Sequence, residues 1–123
     1  MTPEGALAKR ASAQLLIDAG DLVGAVNRAY YAMFYAAHAA LAHIGIKAPS
    51  AKHGTLVSRF GQHLVKTRRV PDDHGRWLNE ALELRSTGDY GDDSPEPNEA
   101  EEILARADAF LATIERLLAA PPR

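Results

Sequence analysis

The chain has 123 residues, a length that fits one domain with one hydrophobic core. Apolar residues make up 46% of it and charged residues 24%, which excludes a disordered tail and a fibrous repeat. It contains no cysteine, so disulfides and thiolate chemistry are excluded. Its start has no secretory signal pattern, and no apolar run reaches the roughly 18 to 20 residues that span a membrane. We therefore expect a cytoplasmic protein without a membrane partner.

Charge is distributed unevenly along the chain. The formal net charge of −2 argues against a generally basic nucleic-acid-binding protein. Residues 47–76, however, carry seven basic and two acidic side chains, whereas residues 77–123 carry four basic and eleven acidic ones. This pattern is compatible with a phosphate-attracting face. It is equally compatible with two solvated faces that attract each other within one chain or across a dimer.

Helix signals dominate the first third of the chain. Thr2 as N-cap, Pro3 at the first helical position and Gly20 as a stop predict a first helix over residues 3–19. The second predicted helix, residues 22–44, is apolar around most of its girth, and Arg28 is its only formal charge. Such a helix is buried on more than one side. In so small a domain, the second buried face predicts a dimer interface.

Three further helices are predicted. The third follows a cap at Ser50 and is weakened by Gly54 and Gly61. The fourth starts near residue 71, and the chain forms a loop after about Tyr90. The last is capped by Asn98 or Ser94 and has an apolar stripe over residues 103–118.

No segment has the two-residue alternation of a strand. The sequence thus predicts an all-α, up-and-down bundle of four to five helices. Residues 1–123 form a single domain, with a core over about residues 3–118 and a frayed tail at 119–123.

Most site chemistries leave no signature in this sequence. His38 and His43 are five residues apart, which places them roughly 140° apart around a helix and thus on different faces. No histidine pair has the four-residue spacing of a helical metal site, and no glycine-rich phosphate loop is present. We therefore expect neither a metal nor a cofactor.

The segment from Arg85 to Tyr90 is the most unusual element. An arginine ends a leucine-rich helix, and a polar, glycine-containing turn then leads to an aromatic hydroxyl. A guanidinium can fork onto a phosphate or a carboxylate, and Tyr90 can stack or donate a hydrogen bond. The structural alternative is that Arg85 caps the carbonyls at the helix end, with Asp89 as its ion-pair partner.

A second unusual element runs from Asn27 to Tyr35. Arg28 is a lone charge on an apolar helix, so it needs a partner or a route to water. Asp18, Asp21 or an acid from residues 89–102 could be that partner. We interpret the tyrosines of this element as core side chains rather than as stacking platforms for a ligand.

These elements resemble a known family. The resemblance is to the small prokaryotic stand-alone branch of the HEPN domain family, and it extends over roughly residues 3–118. It implies an α-helical bundle that forms a two-fold dimer and acts on or binds nucleotide or RNA. It also implies a partner, often a minimal nucleotidyltransferase that serves as antitoxin. The residues that carry it are Asn27–Ala37, Lys52-His53-Gly54, Phe60-Gly61 to Lys66, and Glu83-Leu84-Arg85 through Asp89-Tyr90.

Many members of that family are metal-independent ribonucleases whose motif is an arginine, four to six residues and a histidine. The resemblance places Arg85 at the arginine position, where Tyr90 stands in place of the histidine. Tyrosine has a reference pKa near 10, so it is a poor general base at neutral pH. Arg69 and His74 also have the motif's spacing, but they precede the fourth helix, where the family motif does not lie.

Three functions stay open at this point. The leading hypothesis is a toxin–antitoxin component that binds nucleotide or RNA, including a weak or degenerate metal-independent ribonuclease. In it Arg85 contacts phosphate, and Tyr90 stacks, donates a proton or accepts a nucleotidyl group. The alternative is a non-catalytic module that docks a nucleotidyltransferase through the apolar face of the second helix and the acidic C-terminal segment. The third is a purely structural helical dimer. Further residues expected to line the cleft are Asn27, Arg28, Lys52, His53 and Asp89.

Overall fold

The computed structural model describes residues 1–48, 52–90 and 94–121, except for the side chains of residues 87–90. The described residues form five α-helices and one π-helical turn, and no strand occurs among them. The predicted all-α bundle is therefore confirmed. The elements are α1 (Pro3–Asp18), α2 (Leu22–His43), α3 (His53–Phe60), the π-helical turn (Gly61–Val65), α4 (Asp72–Tyr90) and α5 (Pro97–Ala119).

Local signals determine where α1 and α2 begin and end. The Thr2 hydroxyl accepts a hydrogen bond from the backbone N–H of Gly5 at 3.0 Å, and the Asp21 carboxylate accepts one from Gly24 at 2.8 Å. Gly20 has a φ of 86°, a left-handed conformation that glycine adopts without steric cost. The predicted start of each helix is confirmed, and each ends within one residue of the prediction.

Helix α2 is the centre of the bundle. Helices α1, α3, α4 and α5 all contact it, and more than half of its residues are buried. Neighbours from the same chain thus cover most of its apolar girth. The dimer interface predicted on α2 stays a prediction, because periodicity shows that a face is buried but not which chain buries it.

The region between α3 and α4 departs from regular α-helix. The backbone N–H of Lys66 bonds to the carbonyl of Gly61 at 2.9 Å, so the break expected near Gly61 takes the form of a π-helical turn. Arg68 then adopts a left-handed φ of 63°. The predicted cap Ser50 lies outside the described residues. Lys52 is the N-cap of α3 and makes no side-chain capping bond.

Helix α4 is longer than the polar composition after Arg85 suggested. The segment predicted as a turn after Arg85 is helical as far as Tyr90. One glycine costs only about 1 kcal/mol in a helix, so Gly88 does not end it. The cap predicted for α5 was also wrong. The N-cap is Glu96, because Pro97 takes the first helical position and the Glu99 carboxylate accepts from the Glu96 N–H at 2.9 Å.

The two long helices are joined at one end of the bundle. The Nε2 atom of His43 lies 2.9 Å from the carbonyl oxygen of Ala120, which links the end of α2 to the end of α5. Within the described ranges, no helix combines the length and the hydropathy needed to cross a bilayer.

Candidate functional site

Three helices bring a cation and four rings together. Tyr30, Tyr31 and Phe34 lie on α2, His53 is the first residue of α3, and Arg85 lies on α4. The guanidinium carbon of Arg85 is 5.4 Å from the ring centre of Tyr30 and 5.6 Å from that of Tyr31, distances typical of cation–π contacts. The rings of His53 and Phe34 stack with centres 4.4 Å apart. We call these five residues the Arg85–His53 cluster.

A hydrogen bond connects the two titratable rings of the cluster. The hydroxyl oxygen of Tyr30 lies 2.7 Å from Nδ1 of His53. Tyr30 is fully buried, and this burial raises the pKa of its hydroxyl above its usual range, although the nearby Arg85 charge acts in the opposite direction. The hydroxyl therefore keeps its proton at physiological pH and can donate it in a hydrogen bond.

His53 is held in its neutral form. Partial burial lowers the pKa of its imidazole, and the positive charge of Arg85 lowers that pKa further. A neutral imidazole has one accepting and one donating nitrogen. Since Nδ1 faces the Tyr30 hydroxyl, Nε2 is the nitrogen available to carry the N–H group.

Asn27 and Arg28 lie one helical turn before Tyr31, on the same side of α2. Arg28 is half-buried, and its Nη1 donates to Oδ1 of Asn27 at 2.6 Å. The ion pairs among the described residues do not include Arg28, so none of the acids named as possible partners is shown to pair with it. The Asn27 amide and a route to water, the other option that the sequence left open, accommodate its charge.

Solvent can reach His53 from the start of α3. Lys52, which precedes it, is exposed. A methyl group added at Gly54, which follows it, would meet no atom within 4 Å. The approach to the first turn of α3, which begins with His53, is therefore open.

Of the predicted site residues, the structure brings His53 and Arg85 together around Tyr30. Asn27 and Arg28 flank the cluster on α2, and Lys52 adjoins it in the chain. Asp89 and Tyr90 lie in the last turn of α4, and their side chains are outside the described residues. Sequence reasoning missed Tyr30. It is a core side chain, as predicted, but its hydroxyl bonds to a residue 23 positions further along the chain.

The histidine that follows Arg69 at the motif's spacing occupies a different environment. His74 is 4% exposed, with Nδ1 2.7 Å from Oδ1 of Asp73 and Nε2 2.8 Å from the hydroxyl of Thr113. Its ring stacks on Trp77 and on Phe110. Both ring nitrogens are thus engaged within the protein. His74 joins α4 to α5, and it has no free nitrogen for a ligand.

The basic region at residues 47–76 has few partners inside the chain. Ion pairs of lysine and arginine among the described residues join Arg10 to Asp108, and Arg106 to both Glu80 and Glu102. None of these cations comes from the basic region. The direct ion pairs of the described chain therefore leave its positive charge available to attract anions.

Comparison with known proteins identifies the family of the chain. The model of the HEPN domain matches residues 4–117, which is nearly the whole chain. The chain belongs to the HEPN domain family. The family resemblance seen in the sequence is therefore confirmed.

Relatives of this HEPN protein occur in bacteria and archaea. A "UPF0332 protein" of Thermotoga maritima is 37% identical over 108 residues, which cover 86% of this chain and 80% of the relative. A "UPF0332 protein" of Gloeobacter violaceus is 35% identical over 110 residues, 88% of this chain and 86% of the relative. A protein of Methanocaldococcus jannaschii named "Putative toxin MJ0605" is 34% identical over 94 residues, 76% of this chain and 69% of the relative.

Proposed function

We propose that this HEPN protein is the toxin-type component of a toxin–antitoxin pair and that it binds the phosphates of RNA or of a nucleotide at the Arg85–His53 cluster. Relatives of this chain that carry the word toxin in their names support the first half. The observation that carries the second half is the position of the Arg85 guanidinium over two tyrosine rings, beside a histidine that solvent can reach.

The chemistry of the cluster suits a phosphate. A guanidinium presents several N–H donors in a planar fork, and its contact with aromatic rings fixes the plane of that fork before a ligand arrives. Arg28 and Lys52 place two further cations near it, on α2 and at the start of α3. The basic region at residues 47–76 would attract a polyanion to the protein.

RNA affinity measured for two matched variants tests the proposal. Arg85→Ala and Arg69→Ala each remove one positive charge, but only Arg85 belongs to the cluster, and Arg69 is exposed. We expect Arg85→Ala to lower the affinity about 10- to 100-fold, because a charge-assisted phosphate contact contributes about 1.5–3 kcal/mol. Arg69→Ala should lower it only about two- to threefold, through the general charge.

Circular dichroism should report the same helical content for both variants and for the wild type. Equal losses of RNA affinity in the two variants would contradict a localised site, and they would reduce the binding to nonspecific charge attraction.

The activity that we assign is binding rather than cleavage. The family's ribonuclease motif has Tyr90 where the histidine is expected, and a tyrosine is a poor general base at neutral pH. RNA incubated with the protein in EDTA should therefore stay intact. Cleavage that is lost in Arg85→Ala and in Tyr90→Phe, but kept in Tyr35→Phe, would instead make the protein a metal-independent ribonuclease.

Exposed leucines favour a second candidate function, the docking of a nucleotidyltransferase partner. The apolar face of α2, which we expected to serve as the docking surface, is buried inside the bundle. On α1, in contrast, Leu7 is 62% and Leu15 is 72% exposed. Leu7 also borders a groove between α1 and α5 that has Leu111 and Leu118 on its other side. This surface is apolar enough to receive a protein partner.

Co-expression with a minimal nucleotidyltransferase tests the docking surface. The double variant Leu7→Ser, Leu15→Ser should lose the partner, whereas Arg85→Ala should keep it. Retention of the partner by the double variant would contradict docking through α1. Sedimentation of the wild type and of the double variant alone tests the predicted homodimer and whether the same leucines form its interface.

A further inference from the structure

The hydroxyl of Tyr30 has one place to donate its proton. Tyr30 is fully buried, and within the described part of the chain the only hydrogen-bond partner of its hydroxyl is Nδ1 of His53. If Nδ1 carried a proton, the Tyr30 oxygen would accept it, and the hydroxyl hydrogen would be left without an acceptor. A buried donor without a partner costs about 1–3 kcal/mol. The arrangement in which Tyr30 donates to an unprotonated Nδ1 avoids this cost.

The charged group that faces His53 also opposes a positive charge on its ring. The titratable and charged groups around it are the neutral Tyr30 and Tyr31 from α2 and the cationic Arg85 from α4, and the cation Lys52 precedes it on its own segment. None of the described carboxylates forms an ion pair with His53. Burial and the Arg85 charge thus oppose an imidazolium, and the lowered pKa of His53 agrees with this.

We propose that Tyr30 is a positioning residue that locks His53 as a neutral Nε2–H donor, so that the cluster binds a phosphodiester anion through Arg85 and His53 without taking up a proton. This inference rests on the proposed function, and it goes further by naming the ligand group and the protonation state that receives it. It also removes His53 as the base of an RNA cleavage reaction, because its lone pair at Nδ1 is occupied by Tyr30.

The pH dependence of RNA binding tests whether Tyr30 keeps the His53 ring neutral. The probe is a short 2′-O-methyl oligonucleotide without terminal phosphates, which cannot be cleaved through a 2′-hydroxyl and whose phosphodiester charge is constant between about pH 5 and pH 8. We expect the affinity of the wild type to change less than about twofold over that range.

Tyr30→Phe removes only the hydroxyl, so Nδ1 becomes free to take a proton. The imidazolium would then form a charge-assisted bond to the phosphate. We expect the affinity of this variant to rise several-fold, by up to about tenfold, as the pH falls. Tyr35→Phe is the matched control, because it removes a tyrosine hydroxyl of the same helix outside the Arg85–His53 cluster, and its pH profile should follow that of the wild type.

Two results would overturn the inference while the proposed function stands. They are a wild-type affinity that already rises towards acid pH, and a Tyr30→Phe profile as flat as that of the wild type. An absence of RNA binding by the wild type at every pH would instead contradict the proposed function. The ¹⁵N chemical shifts of the His53 ring in the unliganded wild type give a reading that needs neither RNA nor a folded variant. A proton on Nδ1 at neutral pH would contradict the proposal that Tyr30 donates to an unprotonated Nδ1.

Discussion

Two histidines of this protein, His53 and His74, make similar ring contacts and hydrogen bonds. They differ in whether a ring nitrogen is available to a ligand. His53 stacks on Phe34, and its ring bonds to the hydroxyl of Tyr30 at 2.7 Å. His74 stacks on aromatic rings as well, and its ring bonds to the hydroxyl of Thr113 at 2.8 Å. The difference lies in the second nitrogen. In His74 it bonds to Asp73, whereas in His53 no described residue forms a hydrogen bond with it.

The comparison teaches that motif spacing and site geometry select different histidines. Arg69 and His74 have the spacing of a ribonuclease motif, but both nitrogens of His74 are engaged in joining two helices. His53 follows no arginine at that spacing, yet the fold brings it next to Arg85 across α2. A functional histidine needs a nitrogen that can reach a ligand, and this cannot be read from spacing.

The largest expected effect belongs to His74. His74→Ala removes two hydrogen bonds and two ring contacts, and it leaves the Asp73 carboxylate without its buried partner. We expect the free energy of unfolding to fall by about 2–4 kcal/mol, measured by urea denaturation. His53→Ala should cost about 1–2 kcal/mol, because it leaves the buried Tyr30 hydroxyl without its acceptor but removes a ring that is only partly buried. Equal losses of stability would contradict the distinction between His74 as a structural residue and His53 as a residue available to a ligand.

RNA affinity should respond in the opposite order, with the larger loss in the His53 variant. His53→Ala removes one neutral donor to phosphate, and we expect RNA affinity to fall about five- to tenfold, which corresponds to about 1–1.4 kcal/mol. A folded His74 variant, measured well below its melting temperature, should keep its affinity within about twofold. Loss of binding in the His74 variant alone would contradict a site at Arg85. It would place the site near the start of α4, where His74 lies.

The substitution Gly54→Ala should have a smaller effect, which raises stability and lowers RNA affinity. Gly54→Ala places a methyl group in open space within α3, so it should stabilise the fold by up to about 0.5–1 kcal/mol. The same methyl group narrows the approach to His53 and should weaken RNA binding. Gly61→Ala is the matched control, because a methyl group there also meets no neighbour and Gly61 lies at the other end of α3. A Gly54→Ala variant with unchanged affinity would contradict an approach along this side.

The smallest expected effect is on the pH dependence of stability. The pKa of His53 is lowered in the folded protein, so between that value and about 6.5 the unfolded chain binds more protons than the folded one. The contribution of His53 to the free energy of unfolding is therefore present above pH 6.5 and is lost as the pH falls. His53→Gln should make the acid side of the stability profile flatter, measured by thermal melts across that range. A steeper profile in this variant would contradict the sign.

Local signals carried most of what the sequence could predict about the fold. The starts of α1 and α2 follow from Thr2 and Asp21, whose caps depend on residues three positions away. The covering of α2 by its own chain could not be predicted, because periodicity does not identify the neighbour. The cap of α5 was missed because Pro97 and Glu99 together favour Glu96 over the stronger single candidates Ser94 and Asn98.

The candidate site was predictable only in part. Arg85 and His53 were named through the family resemblance and the motifs that carry it. Tyr30 was not, because an aromatic residue on the apolar stripe of a helix is typical of a core, and its hydroxyl contact spans 23 residues. The predicted roles of all the site residues stay predictions: Asn27, Arg28, Lys52, His53, Arg85, Asp89 and Tyr90.

The most direct test of the distinction between the two histidines is an RNA titration followed through the imidazole signals of the ¹⁵N-labelled protein. RNA binding at the Arg85–His53 cluster predicts that the Nε2–H signal of His53 shifts progressively while the signals of His74 stay in place. A shift of the His74 signals with those of His53 unmoved would contradict it, and it would return the site to the arginine and histidine that share the motif's spacing.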